Sequence, residues 1–420
     1  MIYIDYRPVY NKSQGKGKGE RYMSKLRVVL AGYGERGSQL SREVLVHFLD
    51  EVSFVAVCDK FEDRAEAGAA FYREKSGENV AAYTDYATML VNEKPDAVII
   101  AFSWRDHVPS ACLAMEQGIA VAMEVGGAYA VEQCWELVRT WERTRTPFMF
   151  LENCCYGRLE MAALEMKKSA FFGKIVHCSG GYCHDLRPGI SDGENRRHYR
   201  FDEYASRNGE NYPSHEFLPL ARMLDLHQGN RPLSIYTAVS CAHGLRDYSA
   251  ENYPLEHRAN NTTFLQGDIA TTVIRFARGE TLTLTLDTTL PRAYSRGFTV
   301  RGTKAALFED TASVFEDGKH NKYDFAWNKQ WNNIEEYYPQ FDSEVWSKFQ
   351  QDPVGSHGGM DYLEFADFFA CLREGRAMPI DVYDAVVTMA LTPLSEMSVA
   401  LGAPVAIPDF TCGGWIKRHV

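Results

Sequence analysis

Two stretches of this chain carry residue types at spacings that suit chemistry. The first is Gly32-Tyr33-Gly34-Glu35-Arg36-Gly37, which follows the apolar run Leu26–Ala31 and opens a helical pattern reaching Leu49. The next apolar run, from Ser53, ends in Asp59. Strand, GxGxxG, helix, strand and terminal acid together form a dinucleotide fingerprint. Gly32 permits the tight turn, Gly34 lets the backbone approach a pyrophosphate, and Gly37 lets helix and strand pack closely. Asp59 is placed to accept hydrogen bonds from the adenosine ribose, which favours NAD over NADP, or else to cap the helix that follows. The second stretch is Ile175–Arg187, a strand pattern ending in Tyr182, His184, Asp185 and Arg187, followed by Asn211-Tyr212-Pro213-Ser214-His215. His177 and His184 do not suit zinc, because an odd separation puts them on opposite strand faces. No metal site is expected.

These groups need rigid elements to hold them. After the fingerprint, strands are expected at 97–102, 120–124 and 147–153, with helices at 61–71, 107–117 and 131–143. That alternation implies a doubly wound parallel sheet with right-handed crossovers, an α/β Rossmann unit over residues 25–153. Ligands sit at the carboxyl ends of such strands. Those ends carry Trp104 and His107, Glu124 and Val125, and Glu152 and Asn153. From residue 158 the rhythm changes: a helix, the 175–187 strand, a polar loop over 188–211, then strands at 234–241, 270–277, 281–289, 297–302 and 305–309. The alternation in Thr281-Leu-Thr-Leu-Thr-Leu286 argues for a large, open, mostly antiparallel sheet with one wet face. Helices at 361–374, with Asp361 as its cap, and at 380–402 complete an α+β substrate and oligomerisation domain over 154–410. Residues 1–24, with their Gly/Lys run, and 411–420 read as tails, and either Met1 or Met23 could be the start.

The whole chain bounds the function. It has 420 residues, 45 basic against 56 acidic, and a formal net charge of −11. Without a basic surplus or stripe, nucleic-acid binding is not expected. No apolar run reaches the roughly 18–20 residues of a membrane helix. Ten cysteines without CxxC spacing suit free thiols, and with no signal-peptide pattern the expected compartment is the cytoplasm. The open sheet face predicts a homo-oligomer.

The fingerprint, Trp104-x-x-His107 and the Glu124 strand end resemble the Gfo/Idh/MocA oxidoreductase superfamily. That superfamily usually has Glu-Lys-Pro where this chain has Glu124-Val125-Gly126, so the lysine that assists hydride transfer is absent. Residues Leu151 to Tyr156, His177 to Arg187, Arg207-Asn208-Gly209, Tyr212 to His215, Pro291 to Arg296 and His357 to Asp361 resemble glycoside hydrolase family 109, NAD-dependent glycosidases first known on α-N-acetylgalactosaminides. The likeness runs from about residue 25 to 365. It departs at Ser214, usually Thr, and at Glu216-Phe217-Leu218, usually Gly-Leu-Gly, where Glu216 is expected to alter the pocket.

The resemblance implies transient oxidation at sugar C3 by NAD⁺, removal of the acidified C2 proton, loss of the aglycone, water addition and re-reduction. It assigns the 3-hydroxyl proton to His215 and the C2 proton to Tyr182, with a neighbouring cation such as Arg200 lowering the phenol's pKa. Tyr182 could otherwise be a sheet residue with a satisfied hydroxyl. Tyr294 joins the catalytic set, stacked on the sugar. Arg200, Tyr212, Pro213, Ser214 and His184 are expected on the substrate. Gly32, Gly34, Glu35, Arg36, Gly37, Asp59, Trp104, His107, Glu124, Val125 and Asn153 are expected on the cofactor. Glu152 would orient a base or the nicotinamide amide. The alternative is an NAD-dependent sugar or polyol dehydrogenase.

Overall fold

The computed structural model describes residues 24–350, 353–355 and 357–416. Nearly all of the expected N-terminal tail, with both candidate start methionines, lies outside the described residues. The first unit alternates strands β1 (Leu26–Ala31), β2 (Val52–Cys58), β3 (Ala81–Tyr83), β4 (Ala97–Ile100), β5 (Ala120–Glu124) and β6 (Phe148–Leu151) with helices α1 (Glu35–Glu43), α2 (Glu62–Ser76), α3 (Tyr86–Glu93), α4 (Trp104–Glu116) and α5 (Val131–Thr144). All strand pairs in this sheet are parallel, in the order β3-β2-β1-β4-β5-β6. β4, β5 and β6 are buried along their whole length, as helices on both faces of a parallel sheet require. The pair β3–α3 is not apparent from periodicity, since a three-residue strand shows no alternation.

The second unit begins with α6 (Arg158–Lys168) and β7 (Ile175–Cys183). The 188–211 stretch, expected as a loop, contains most of α7 (Arg187–Ser191) and all of α8 (Arg200–Ser206). Ile190, Phe201 and Tyr204 on these helices share a small separate core with Leu245, Ala259 and Phe264, which explains why so polar a segment folds. Then come α9 (Ser214–Met223), β8 (Pro232–Val239), α10 (Gly244–Asn252), β9 (Ile269–Phe276), β10 (Thr281–Asp287), β11 (Thr299–Gly302), β12 (Ala305–Phe308) and β13 (Ser313–Glu316). Short helices α11 (Tyr338–Phe341) and α12 (Glu344–Phe349) precede α13 (Met360–Glu374), α14 (Val382–Leu401) and β14 (Val405–Ala406).

The second sheet runs β13-β12-β11-β7-β10-β9-β8-β14 and is mixed, with β7 and β10 parallel and the other pairs antiparallel. Register lines up Ile235, Ile274, Leu282, Cys178 and Val300 across five strands, and all five are fully buried. One residue along, Tyr236, Val273, Thr283, Ser179 and Thr299 form the opposite row, where Tyr236 and Val273 are both 41% exposed. This is the expected single wet face.

Helix α14 is apolar and long enough to cross a membrane by length and composition alone, contrary to the reading from apolar runs; 67% of its most apolar window is buried within the fold. It packs against α5 and β6 of the first unit and β8 of the second, so it is a core helix joining the two. Residues 411–416, expected within a tail, turn back on the fold, and the Trp415 carbonyl accepts a hydrogen bond from the Gly229 N–H at 2.8 Å. All ten cysteines are free thiols.

Candidate active site

A cleft of about 1230 Å³ runs along the carboxyl ends of β1, β2, β4 and β5 and under β7, α8 and α9. Its first half is the β1–α1 turn. Gly32 has φ +108°, and a Cβ there would stand 2.4 Å from the Ala101 carbonyl oxygen. A Cβ on Gly37 would stand 1.9 Å from the Gly32 carbonyl oxygen, whereas one on Gly34 would meet only the tip of Arg64 at 3.4 Å. Gly32 and Gly37 thus close the turn, and Gly34, lining the cleft, leaves its open side free. Helix α1 starts at Glu35 with no side chain capping its first N–H groups, which leaves the donors and the dipole a pyrophosphate requires. Asp59 is fixed from two sides: Oδ2 accepts the Tyr33 N–H at 2.9 Å and Oδ1 the Phe61 N–H at 3.0 Å. Its carboxylate lines the cleft with lone pairs to spare for a ribose; it does not cap α2, whose N-cap is Phe61, with no side-chain cap hydrogen bond. These features fit NAD.

Glu35, Trp104, His107, Val125 and Asn153 also line the cleft, as do Arg36 and Glu124. Arg36 is fixed by Glu124 Oε1 at 2.7 Å and by both oxygens of Asp361 at 2.8 and 3.0 Å. Asp361 additionally accepts from Asn153 Nδ2 at 2.7 Å and His357 Nδ1 at 2.8 Å. It therefore does not cap α13, whose N-cap is Gly359. Asp361 is an anchor, and the cations around it hold its carboxyl well below the usual range despite burial. His107 donates from Nε2 to the Phe102 carbonyl at 3.0 Å, and burial pushes its pKa down to about 4, so it is a neutral wall of the cleft.

The second half of the cleft is built on β7 and α9. Helix α9 packs on β7 and on the short turn Asn153–Tyr156 that follows β6, which brings His215 beside Glu152. His215 Nδ1 lies 2.7 Å from Glu152 Oε1, and Nε2 lies 3.2 Å from the Tyr212 hydroxyl. A carboxylate only accepts, so Nδ1 carries the hydrogen and Nε2 presents its lone pair, here to Tyr212. Tyr182, at the end of β7, lies with its ring centroid 5.5 Å from His215 and 4.5 Å from Tyr212, and its hydroxyl is 3.1 Å from His184 Nδ1. Tyr294, half-exposed, meets His184 edge-on at 5.1 Å. The Arg200 guanidinium lies 5.3 Å from the Tyr212 ring and 5.8 Å from the Trp104 ring, with its Nε lacking a hydrogen-bond partner. Arg200 lines the cleft among hydroxyls and rings.

Arg200 does act on Tyr182 in the lowering direction, yet burial outweighs it and the phenol stands above its ordinary value. Pro213 and Ser214 are buried and do not line the cleft. They set the start of α9 and so aim His215. Glu216 likewise does not reshape the pocket: it points under β7 against Gly180 and pairs with Arg296 at 3.1 Å. Glu152, Cys154 and His215 hold ligand-type atoms within 4.8 Å of one another. Burial drives the Cys154 thiol far from ionisation, and Glu152 is spent on His215, so the trio is a poor thiolate metal site. Tyr199, its ring tilted against Trp104 with centroids 5.0 Å apart, lines the cleft, as do Arg196 and Arg258 from the loops around α8 and α10. None of these three belongs to a motif that marks it in sequence.

Residues 156–417 match the C-terminal domain of glycosyl hydrolase 109, and residues 26–150 match the NAD-binding Rossmann fold of the Gfo/Idh/MocA oxidoreductase family. The chain is 35% identical to an alpha-N-acetylgalactosaminidase of Tannerella forsythia, over 97% of this chain and 90% of that protein. It is 34% identical to a glycosyl hydrolase family 109 protein of Stenotrophomonas maltophilia, over 94% and 91%. Among solved structures, a levoglucosan dehydrogenase in complex with NADH and levoglucosan superposes with TM-score 0.68 at 16% identity, over 92% of this chain and 100% of that one. A myo-inositol 2-dehydrogenase from Lactobacillus plantarum gives 0.64 at 16%, over 91% and 100%. The dehydrogenases share the fold; full-length identity and the matched second domain show that this chain belongs to glycosyl hydrolase family 109, as an NAD-dependent glycosidase on the Gfo/Idh/MocA fold.

Proposed function

We propose that this chain cleaves glycosides by oxidation, elimination, addition and reduction at one site, with an α-N-acetylgalactosaminide as the first sugar to test. The observation that carries the reading is the convergence of a Glu152-oriented His215 and Tyr182 beside the rim formed by Val125 and Asn153. NAD, which the β1–α1 turn and Asp59 would hold, would supply reversible hydride acceptance at a sugar hydroxyl carbon. His215 Nε2 takes the proton of that hydroxyl, and Glu152 stabilises the resulting imidazolium. With a carbonyl adjacent, the C2 hydrogen is acidic, and Tyr182 removes it. Arg200, which lines the cleft with its multi-donor fork, holds a sugar oxygen or an amide carbonyl. The name of the Tannerella relative supports the acetamido sugar. Val125 in the position of the superfamily's lysine supports a glycosidase over the dehydrogenase alternative.

A panel of chromogenic glycosides, with NADH absorbance followed in parallel, tests this. Chromophore release with catalytic NAD and no accumulating NADH is expected. Stoichiometric NADH with an uncleaved, oxidised sugar would move the assignment to a dehydrogenase.

A further inference from the structure

Tyr182 is the last residue but one of β7 and His184 directly follows the strand's end at Cys183, and the Tyr182 hydroxyl meets His184 Nδ1 at 3.1 Å. Tyr182 is only 9% exposed, while His184 is half-buried and lines the cleft. The groups facing His184 are Arg200 from α8, His215 from α9, its neighbour Asp185 and the edge of Tyr294. Burial, Arg200 and His215 push His184 below its usual pKa and Asp185 opposes them, with a net lowering. A neutral imidazole results, and in its Nε2–H tautomer Nδ1 accepts the Tyr182 hydroxyl. Tyr182, pushed up by burial, is a phenol. A phenol must give up its own proton before it can take one from carbon, and buried Tyr182 has an imidazole in hydrogen-bond reach to receive it.

We infer that His184 is the proton relay of Tyr182, connecting the C2 proton to solvent; this rests on the glycosidase reading above. As His184 Nδ1 takes the phenolic proton, Tyr182 oxygen takes the C2 hydrogen as a proton. The C–H electron pair enters the forming enolate and expels the aglycone with its bonding pair. The imidazolium then releases a proton from Nε2, and the departing aglycone oxygen gains one from solvent, so the count balances. In the second half, water adds hydroxide at C1 and yields its proton to solvent, while C2 is reprotonated by Tyr182 with a proton delivered through His184. No oxidant beyond the enzyme's own cofactor is needed.

The test is turnover in deuterium oxide of a glycoside bearing ordinary hydrogen at C2, with mass spectrometry of the released sugar. Wild-type enzyme is expected to give a product fully deuterated at C2. His184→Gln keeps a polar side chain but cannot shuttle a proton. Its kcat is expected to fall roughly 10- to 100-fold, with most product retaining hydrogen at C2 because the abstracted proton returns to the same carbon. Added imidazole should restore both turnover and deuterium in His184→Ala. A structural role for His184 would leave the isotope content unchanged, because only folded molecules turn over. Full deuteration by His184→Gln, at whatever rate, overturns the relay. A wild-type arm that accumulates NADH without releasing sugar overturns the glycosidase reading, and the relay with it.

Discussion

His215 and Glu152 illustrate how much chemistry rests on one hydrogen bond. Glu152 is fully buried and does not line the cleft, so it acts on substrate only through His215. Replacing it with glutamine keeps the volume but lets an amide donate where the carboxylate only accepted, which favours the wrong tautomer and removes the partner of the imidazolium. Glu152→Gln should lower kcat about 100-fold or more while leaving NAD affinity within about twofold, as read by titration of cofactor fluorescence. Unchanged kcat would show that Glu152 is only packing. The residues of this pair were legible in the sequence as titratable groups at a strand end and a helix start. Their pairing was not, because Glu152 and His215 are 63 residues apart and nothing local signals that α9 lies on the turn after β6.

At the scale of elements, the Rossmann unit was readable because periodicity, glycine placement and a terminal acid all concern neighbours in sequence. Asp361 shows the limit. Its position beside two glycines at a helix start reads as a cap, yet its partners Arg36 and Asn153 are 325 and 208 residues away, and it ties α13 to the cofactor turn. The α7–α8 segment was obscured for a related reason: its apolar residues are few and find their partners in the 245–264 region. Helix α4 has a consequence for acid stability. His107 joins its first turn to the end of β4, is 1% exposed, and has a pKa of about 4 against 6.5 when unfolded. Because the unfolded chain binds the proton more tightly, stability is fully present above about pH 6.5 and is lost as pH falls toward 4. The linkage is worth about 2 kcal/mol between pH 7 and 5. Urea unfolding at the two pH values should show that His107→Gln loses about 2 kcal/mol less than wild type over this interval; an identical acid loss would mean His107 is not held neutral.

In the whole molecule, the two sheets do different work. The parallel sheet is covered on both faces, and the mixed sheet is covered on one, by α9 over β7 and α14 over β8. Its other face presents the row Tyr236, Val273, Thr283, Ser179 and Thr299 to solvent, a broad surface of hydroxyls, one valine and one aromatic. Arg275 and Arg301 share this face two residues further along the strands, beside the uncharged row, whose β-branched side chains lose little entropy on contact. A symmetric pairing would place Val273 near its counterpart and bury Tyr236, leaving both clefts open on the far sides. Light scattering after size exclusion should therefore give a mass that is a multiple of 47.6 kDa. Val273→Asp puts two carboxylates into that contact and should yield a monomer with an unchanged melting temperature, since Val273 is already 41% exposed within one chain. A wild-type monomer, or an oligomer indifferent to Val273→Asp, would mean that this face is not where copies of the chain meet.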